Sequence, residues 1–230
     1  PSSAPSKVNG ITEPRDDSTA SCKSSSSFHS NRRPFRPEWK VDQSLHCTPD
    51  RPPTINFEGI PGFWEIFAGS QNLSASLSKL FPVLPAVDYN TDWDLAKHAH
   101  QRAVRYYREK YNPVILWMSV PNPMGTRLTS REASVYRLVA AVGQEQIAKG
   151  MDLVIEVPAQ TTLVRDCPDF ANLVKDLKVH DVFYCAHGVV DPETNLPVKR
   201  PTRLFATFHL KSTDAPCVCT VRHQSLHSKF

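Results

Sequence analysis

No apolar run in the 230 residues approaches the ~20 that a membrane-spanning helix needs, so no membrane span is expected. No block of like charges stands out. The net charge of +4, from 27 Lys+Arg against 23 Asp+Glu, is too small to argue nucleic-acid binding by itself. Glycine is scarce, 8 against 20 proline, and no G-x-G-x-x-G follows the first apolar run, which argues against a nicotinamide-type dinucleotide site. Pro1 is not a methionine and no apolar leader follows it. The expectation is a piece of a longer protein without a secretory signal, intracellular, with cytoplasm and nucleus not distinguishable. The six cysteines (22, 47, 167, 185, 217, 219) are scattered, so reduced thiols are expected. Against these absences stands 40% hydrophobic content, enough for a core and too much for wholesale disorder.

Three regions follow from composition. Residues 1–57 are rich in Ser, Pro and Arg with no helical or alternating period, and read as a disordered leader, with Phe35 and Trp39 able to dock it. Residues 58–212 carry regular structure, and 213–230 form a Cys/His tail. Apolar runs at 63–68, 83–87, 113–118, 151–157, 179–184 and 203–208 predict six strands, the second interrupted by Pro85. Helical spacing appears at Leu73, Leu77 and Leu80. It recurs over 94–111, with Leu95, Ala99, Ala103 and Tyr106 on one face. Ser130 is expected to cap a helix with Val135, Leu138, Val139 and Val142 as its stripe and Gly150 as its stop, and 170–177 is a further short helix. Strand alternating with helix predicts a Rossmann-like, doubly wound, mostly parallel α/β sheet. The turn-rich connection between the last two strands predicts an antiparallel strand near the sheet's end.

In open α/β sheets ligands bind beyond the carboxyl ends of the strands. Those ends hold Gly69-Ser70-Gln71-Asn72, then Asp88, Asn90 and Asp92, then Ser119-Val-Pro121-Asn122-Pro123-Met124, then Glu156-Val-Pro158. Gly69 serves a turn or a close approach of backbone to ligand. Asp88 either caps the next helix or holds ribose hydroxyls. Glu156 follows three apolar residues in a strand that should be buried, so it needs a hydrogen-bond donor or a ligand. His98 and His100, two residues apart on a helix, read as surface residues. Cys185 reads as a core thiol with no partner base. Cys217-Val-Cys219, His223 and His227 offer four zinc ligands. The first spacing is shorter than usual, so an exposed tail is expected and zinc is not.

Residues 67–74, Phe-Ala-Gly-Ser-Gln-Asn-Leu-Ser, resemble the first motif of cytosine-5 DNA methyltransferases, roughly F-A-G-x-G-G-L-S. Ser119-Val-Pro-Asn-Pro resembles that family's Pro-Cys loop, and Glu156-Val-Pro its Glu-Asn-Val motif. Lys199, Arg200 and Arg203 stand where it has Gln-x-Arg-x-Arg. Ile155-Glu-Val-Pro158, Cys185-Ala-His-Gly-Val-Val-Asp-Pro192, Lys199-Arg-Pro-Thr-Arg203 and Arg222-His-Gln224 resemble the divergent methyltransferase-like domains of protist genomes and retroelement-type polyproteins.

The resemblance implies a class I fold binding S-adenosylmethionine through Phe67, Gly69, Ser70, Asp88 and Ser119. It also implies Asn122 and Glu156 in catalysis, and Pro121, Pro123, Arg200 and Arg203 facing a nucleic-acid acceptor. Two departures leave the outcome open. Asn122 (or Met124, in another alignment) replaces the cytosine-5 nucleophile, and Gln71 and Asn72 replace glycines. Asn122-Pro123 also resembles amino-methyltransferase loops. The alternative is a catalytically inactive module for nucleic-acid or protein interaction. Oligomeric state is not legible.

Overall fold

The computed structural model describes residues 50–123, 125, 127–190, 194–198, 200–211, 217, 219 and 223. Residues 1–49 of the expected leader, with Phe35 and Trp39, lie outside the described residues, as do Met124, Lys199 and His227. The leader's last residues are part of the core. Ile55 is buried, Tyr111 Oη donates to its carbonyl at 2.7 Å, and Phe57 meets Tyr111 edge to face.

Five strands form one sheet: β1 (Phe63–Ile66), β2 (Ile115–Ser119), β3 (Asp152–Pro158), β4 (Lys178–Phe183) and β5 (Pro201–Ala206). Their order is β1-β2-β3-β5-β4, with β1, β2 and β3 parallel and β5 antiparallel to both of its neighbours. The fold is the expected Rossmann-like α/β class, with the reversed strand next to the edge. The second expected strand, 83–87, is corrected. It runs along β1 through isolated parallel bridges Phe63↔Val83 and Ile66↔Val87. Pro85 has no N–H to give a ladder, and its carbonyl instead accepts from Trp64 Nε1 at 2.9 Å.

Helices cover both faces. Register places Trp64, Leu116 and Leu153 on one face and Glu65, Trp117, Val154 and Ala206 on the other. The first face packs beneath α2 (His98–Tyr111), α3 (Ser130–Ala148) and α5 (Pro168–Val174), with a one-turn α4 (Leu163–Asp166) between them in sequence. On the second face the six-residue α1 (Asn72–Leu77) lies against β1. None of the described helices is long and apolar enough to cross a membrane.

Two helical expectations shift. The buried stripe of α2 is His100, Val104, Tyr107 and Arg108, at the i, i+4, i+7, i+8 spacing. The expected face led by Leu95 and Ala99 is displaced because the helix begins at His98, and Tyr106 is left 57% exposed. His98 is exposed, but His100 is fully buried, its Nδ1 accepting from Asp94 N at 3.2 Å and its ring edge-on to Trp93. The cap of α3 is Thr129, one residue before the expected Ser130. Thr129 Oγ1 accepts from Glu132 N at 3.2 Å, and Glu132 Oε2 accepts from Thr129 N at 2.8 Å. This reciprocal pair satisfies two donors that a helix start leaves open.

Candidate functional site at the strand ends

Because β1, β2 and β3 are parallel, their carboxyl ends share one rim, and 83–87 ends beside them. At the β1 end the chain turns through three left-handed residues at alternate positions, Phe67 (φ 61°), Gly69 (φ 52°) and Gln71 (φ 58°). Non-glycine residues pay about 1–2 kcal/mol for this region. Gln71 stands where the resembled motif has glycine and keeps a glycine's backbone. A side chain at Gly69 would meet nothing within 4 Å, so open space lies in front of that turn.

The turn is tied to the neighbouring segment. Gly69 N donates to Asp88 Oδ2 at 3.0 Å and Asn90 N donates to Asp88 Oδ1 at 3.0 Å. Asp88 caps not the helix from His98 but a one-turn 3-10 helix at Tyr89–Thr91, in a capping box with Thr91, and also clamps the glycine turn. Each carboxylate oxygen keeps a lone pair. Phe67 is half-buried against the core and Ser70 is exposed at the turn's tip.

The second half of the rim is built around Glu156. Register pairs it with Ser119, whose Oγ donates to Glu156 Oε2 at 2.9 Å while accepting from Trp117 Nε1 at 3.0 Å. Tyr184, in the turn after β4, donates its hydroxyl to Glu156 Oε1 at 2.9 Å. The half-buried carboxylate thus has the donors its sequence context called for, and both its oxygens are held in place. The Tyr184 hydroxyl is pushed above the usual tyrosine range, by burial first and then by the Glu156 charge. Among the described residues, Thr202 Oγ1, buried beside Tyr184, meets no hydrogen-bond partner of good geometry.

The remaining expected residues are distributed unevenly. Pro121 and Pro123 are half-buried, with the Pro121 carbonyl accepting from Tyr136 Oη at 3.1 Å; Asn122 between them is exposed. Arg200 is exposed with its guanidinium 5.8 Å from the Tyr184 ring centre, which brings it to the Glu156 side of the rim. Arg203 is held elsewhere, in a bidentate pair with Asp181 across β4 and β5 (2.7 and 3.0 Å).

Sequence reasoning missed Glu65. It is buried in β1, and its Oε2 accepts from Ser74 N at 3.0 Å and Ser74 Oγ at 2.5 Å. Gln71, at the N-cap of α1, supplies no side-chain cap, so Glu65 satisfies an N–H of the helix's first turn from across the sheet. Its carboxyl is raised above the ordinary value, first by burial; the charges of Glu156 and Asp88 add to this, and the Ser74 hydrogen bonds oppose it. The charges of Asp88 and Glu156 thus reach Glu65. The signal was available, since Glu65 interrupts an apolar strand as Glu156 does. Tyr184 carried no such signal.

An open groove of about 610 Å³ lies at the opposite edge of the sheet, lined by Arg102, Arg105, Tyr106, Glu109, Glu145 and Lys149. It sits where α2 and α3 lead into the starts of β2 and β3. Arg105 there is paired with Glu145, and the neighbouring Arg108 with Gln146 Oε1 and the Glu145 carbonyl. These are structural ties between helices, so the strand-end rim remains the candidate site.

Among solved structures, the crystal structure of S. pombe Dnmt2 methyltransferase is similar to this chain, with a TM-score of 0.41 and 9% identity over 65% of this chain and 50% of that one. This chain thus spans half the length of that structure, and so distant a likeness adds nothing to what strand order and register show. No protein-family model and no curated protein matches the chain.

Proposed function

We propose that this methyltransferase-like domain binds S-adenosylmethionine at the strand-end rim and methylates an amine of a nucleic acid. The observation that carries the reading is the Gly69–Asp88 clamp, which sets a left-handed turn and an anchored carboxylate with spare lone pairs beside open space. The residues fit the cofactor on that ground. Gly69 and Gln71 keep the backbone path that lets a ligand approach closely, and Asp88 can still accept two hydroxyl hydrogen bonds, as a ribose requires. When bound, the cofactor supplies an electrophilic methyl on a sulfonium. The chain's own work is to position the acceptor and exclude water. Asn122, exposed three residues beyond Ser119, would offer its amide oxygen to an amine N–H. Glu156, its oxygens held by Ser119 and Tyr184, would take up the proton released. Arg200 beside Tyr184 would meet a phosphate. Nothing in this reading needs the missing thiolate.

Calorimetry of the full chain with S-adenosylmethionine and S-adenosylhomocysteine tests the cofactor. Binding is expected, with Asp88→Ala abolishing it and Glu156→Gln lowering transfer of labelled methyl to DNA or RNA more than affinity. Absence of heat with either compound overturns the proposal. Cofactor binding without transfer to DNA or RNA overturns methylation and leaves the interaction-module reading, which the side chains of Gln71 and Asn72 in place of glycines favour. Nucleic-acid affinity is expected to weaken as salt rises from 50 to 200 mM.

A further inference from the structure

Three described residues beyond β5 lie beside the turn after β4. Cys217, Cys219 and His223 come there to Cys185, and the four ligand atoms (three Sγ and one ring nitrogen) all lie within 4.8 Å of one another. His223 Nε2 is 3.2 Å from Cys217 Sγ. Two sulfurs at ~2.3 Å from a tetrahedral zinc sit about 3.8 Å apart, and a sulfur and an imidazole nitrogen about 3.5 Å, so the cluster needs only small adjustments to close on an ion. Cys185 is buried and the other three are partly covered. Cys185 comes from a separate part of the chain and takes the place that the tail pattern gave to His227.

We propose that Cys185, Cys217, Cys219 and His223 form a structural zinc site. Three thiolates and an imidazole suit a borderline-soft, tetrahedral dication, and four protein ligands leave no open position for catalysis. Binding converts three thiols to thiolates, releases their protons to solvent and uses the lone pair of neutral His223.

The consequence for the fold is specific. Cys185 is the next residue after Tyr184, the donor to Glu156 Oε1. A metal there fastens the tail to the turn that completes the rim. The inference stands whether or not the rim binds S-adenosylmethionine.

The test uses the full chain, purified with reductant, exposed to Zn²⁺ and then dialysed. Elemental analysis is expected to find one zinc per chain. Co²⁺ in its place is expected to give intense thiolate-to-cobalt bands with tetrahedral visible absorption. Cys185→Ser should weaken zinc retention by at least about tenfold, no less than the loss of an outer-shell partner does, while His227→Ala leaves it unchanged. Substoichiometric zinc with all thiols freely reactive overturns the site, as does a disulfide among these cysteines in the freshly purified chain. Cobalt bands surviving in Cys185→Ser but lost in His227→Ala overturn the ligand set. If Cys185→Ser does not fold, the zinc content and cobalt spectrum of the unaltered chain decide alone.

Discussion

Glu65→Gln isolates the electrostatics of the rim. Glu65 is 4% exposed, and its carboxyl serves two Ser74 donors while burial, Glu156 and Asp88 raise its proton affinity. For an acid raised in the folded state, the associated stability is full below the unfolded value and is lost as pH rises through the folded one. Glutamine keeps an oxygen for Ser74 N–H but cannot ionise. At low pH it should cost about 1 kcal/mol through poorer hydrogen bonding. As pH rises above the unfolded carboxyl value, the wild type should lose up to about 1.4 kcal/mol per pH unit relative to the variant until the folded value is passed, so the gap narrows. Glu65→Ala, which orphans both Ser74 donors and leaves a void, should cost about 3 kcal/mol at low pH, and this gap should narrow with rising pH as the glutamine gap does. Urea unfolding followed by tryptophan fluorescence at several pH values between about 5 and 8 reads the difference. A gap that stays constant, or a wild type that gains on the glutamine variant as pH rises, would refute the reasoning.

Two further perturbations test the local backbone. Gln71→Gly removes a left-handed cost of about 1–2 kcal/mol and adds about 0.5–1 kcal/mol of chain entropy, so it should stabilise by about 0.5–1 kcal/mol; a lower melting temperature would show that the glutamine side chain holds the turn. Thr129→Ala should cost about 1 kcal/mol in chemical denaturation by breaking the capping box, with Ser130→Ala within about 0.5 kcal/mol of wild type; equal losses at both would remove Thr129 from the cap.

How much was legible depended on whether a signal was local. β2, β3 and α3 are continuous apolar or periodic stretches bounded by Pro, Thr and Gly, and each formed close to its expected place. Pro85 was visible, but its effect on pairing with β1 depends on a neighbour that sequence does not supply. The α2 stripe moved by a residue because the helix begins at His98, and period counting also passes over Arg108, buried against Gln146 of α3. Asp88 and Glu156 were readable because each breaks a pattern at a strand end. Tyr184 and the partnership of Cys185 with the tail were not, because those contacts join segments far apart in the chain.

The two halves of the rim are built by different means, and this bears on what they could accept. Near β1 the backbone is fixed by positive φ angles and by Asp88; near β3 a carboxylate is fixed by hydroxyls from two other strands' ends. Glu65 lies beneath, under the influence of both remaining carboxylates. The Asp88 and Glu156 charges raise the proton affinity of Glu65, and the same repulsion disfavours a further anion beside it. A ligand carrying positive charge would offset that repulsion, as would an acceptor amine presenting N–H donors. A bare phosphate group would not, and within the site it would need Arg200 as its counter-charge, since Arg203 is committed to Asp181. The charge pattern therefore favours a cationic small molecule inside the rim and phosphates only at its Arg200 edge. On the function proposed above, a sulfonium cofactor would take the first place and a nucleic-acid acceptor the second.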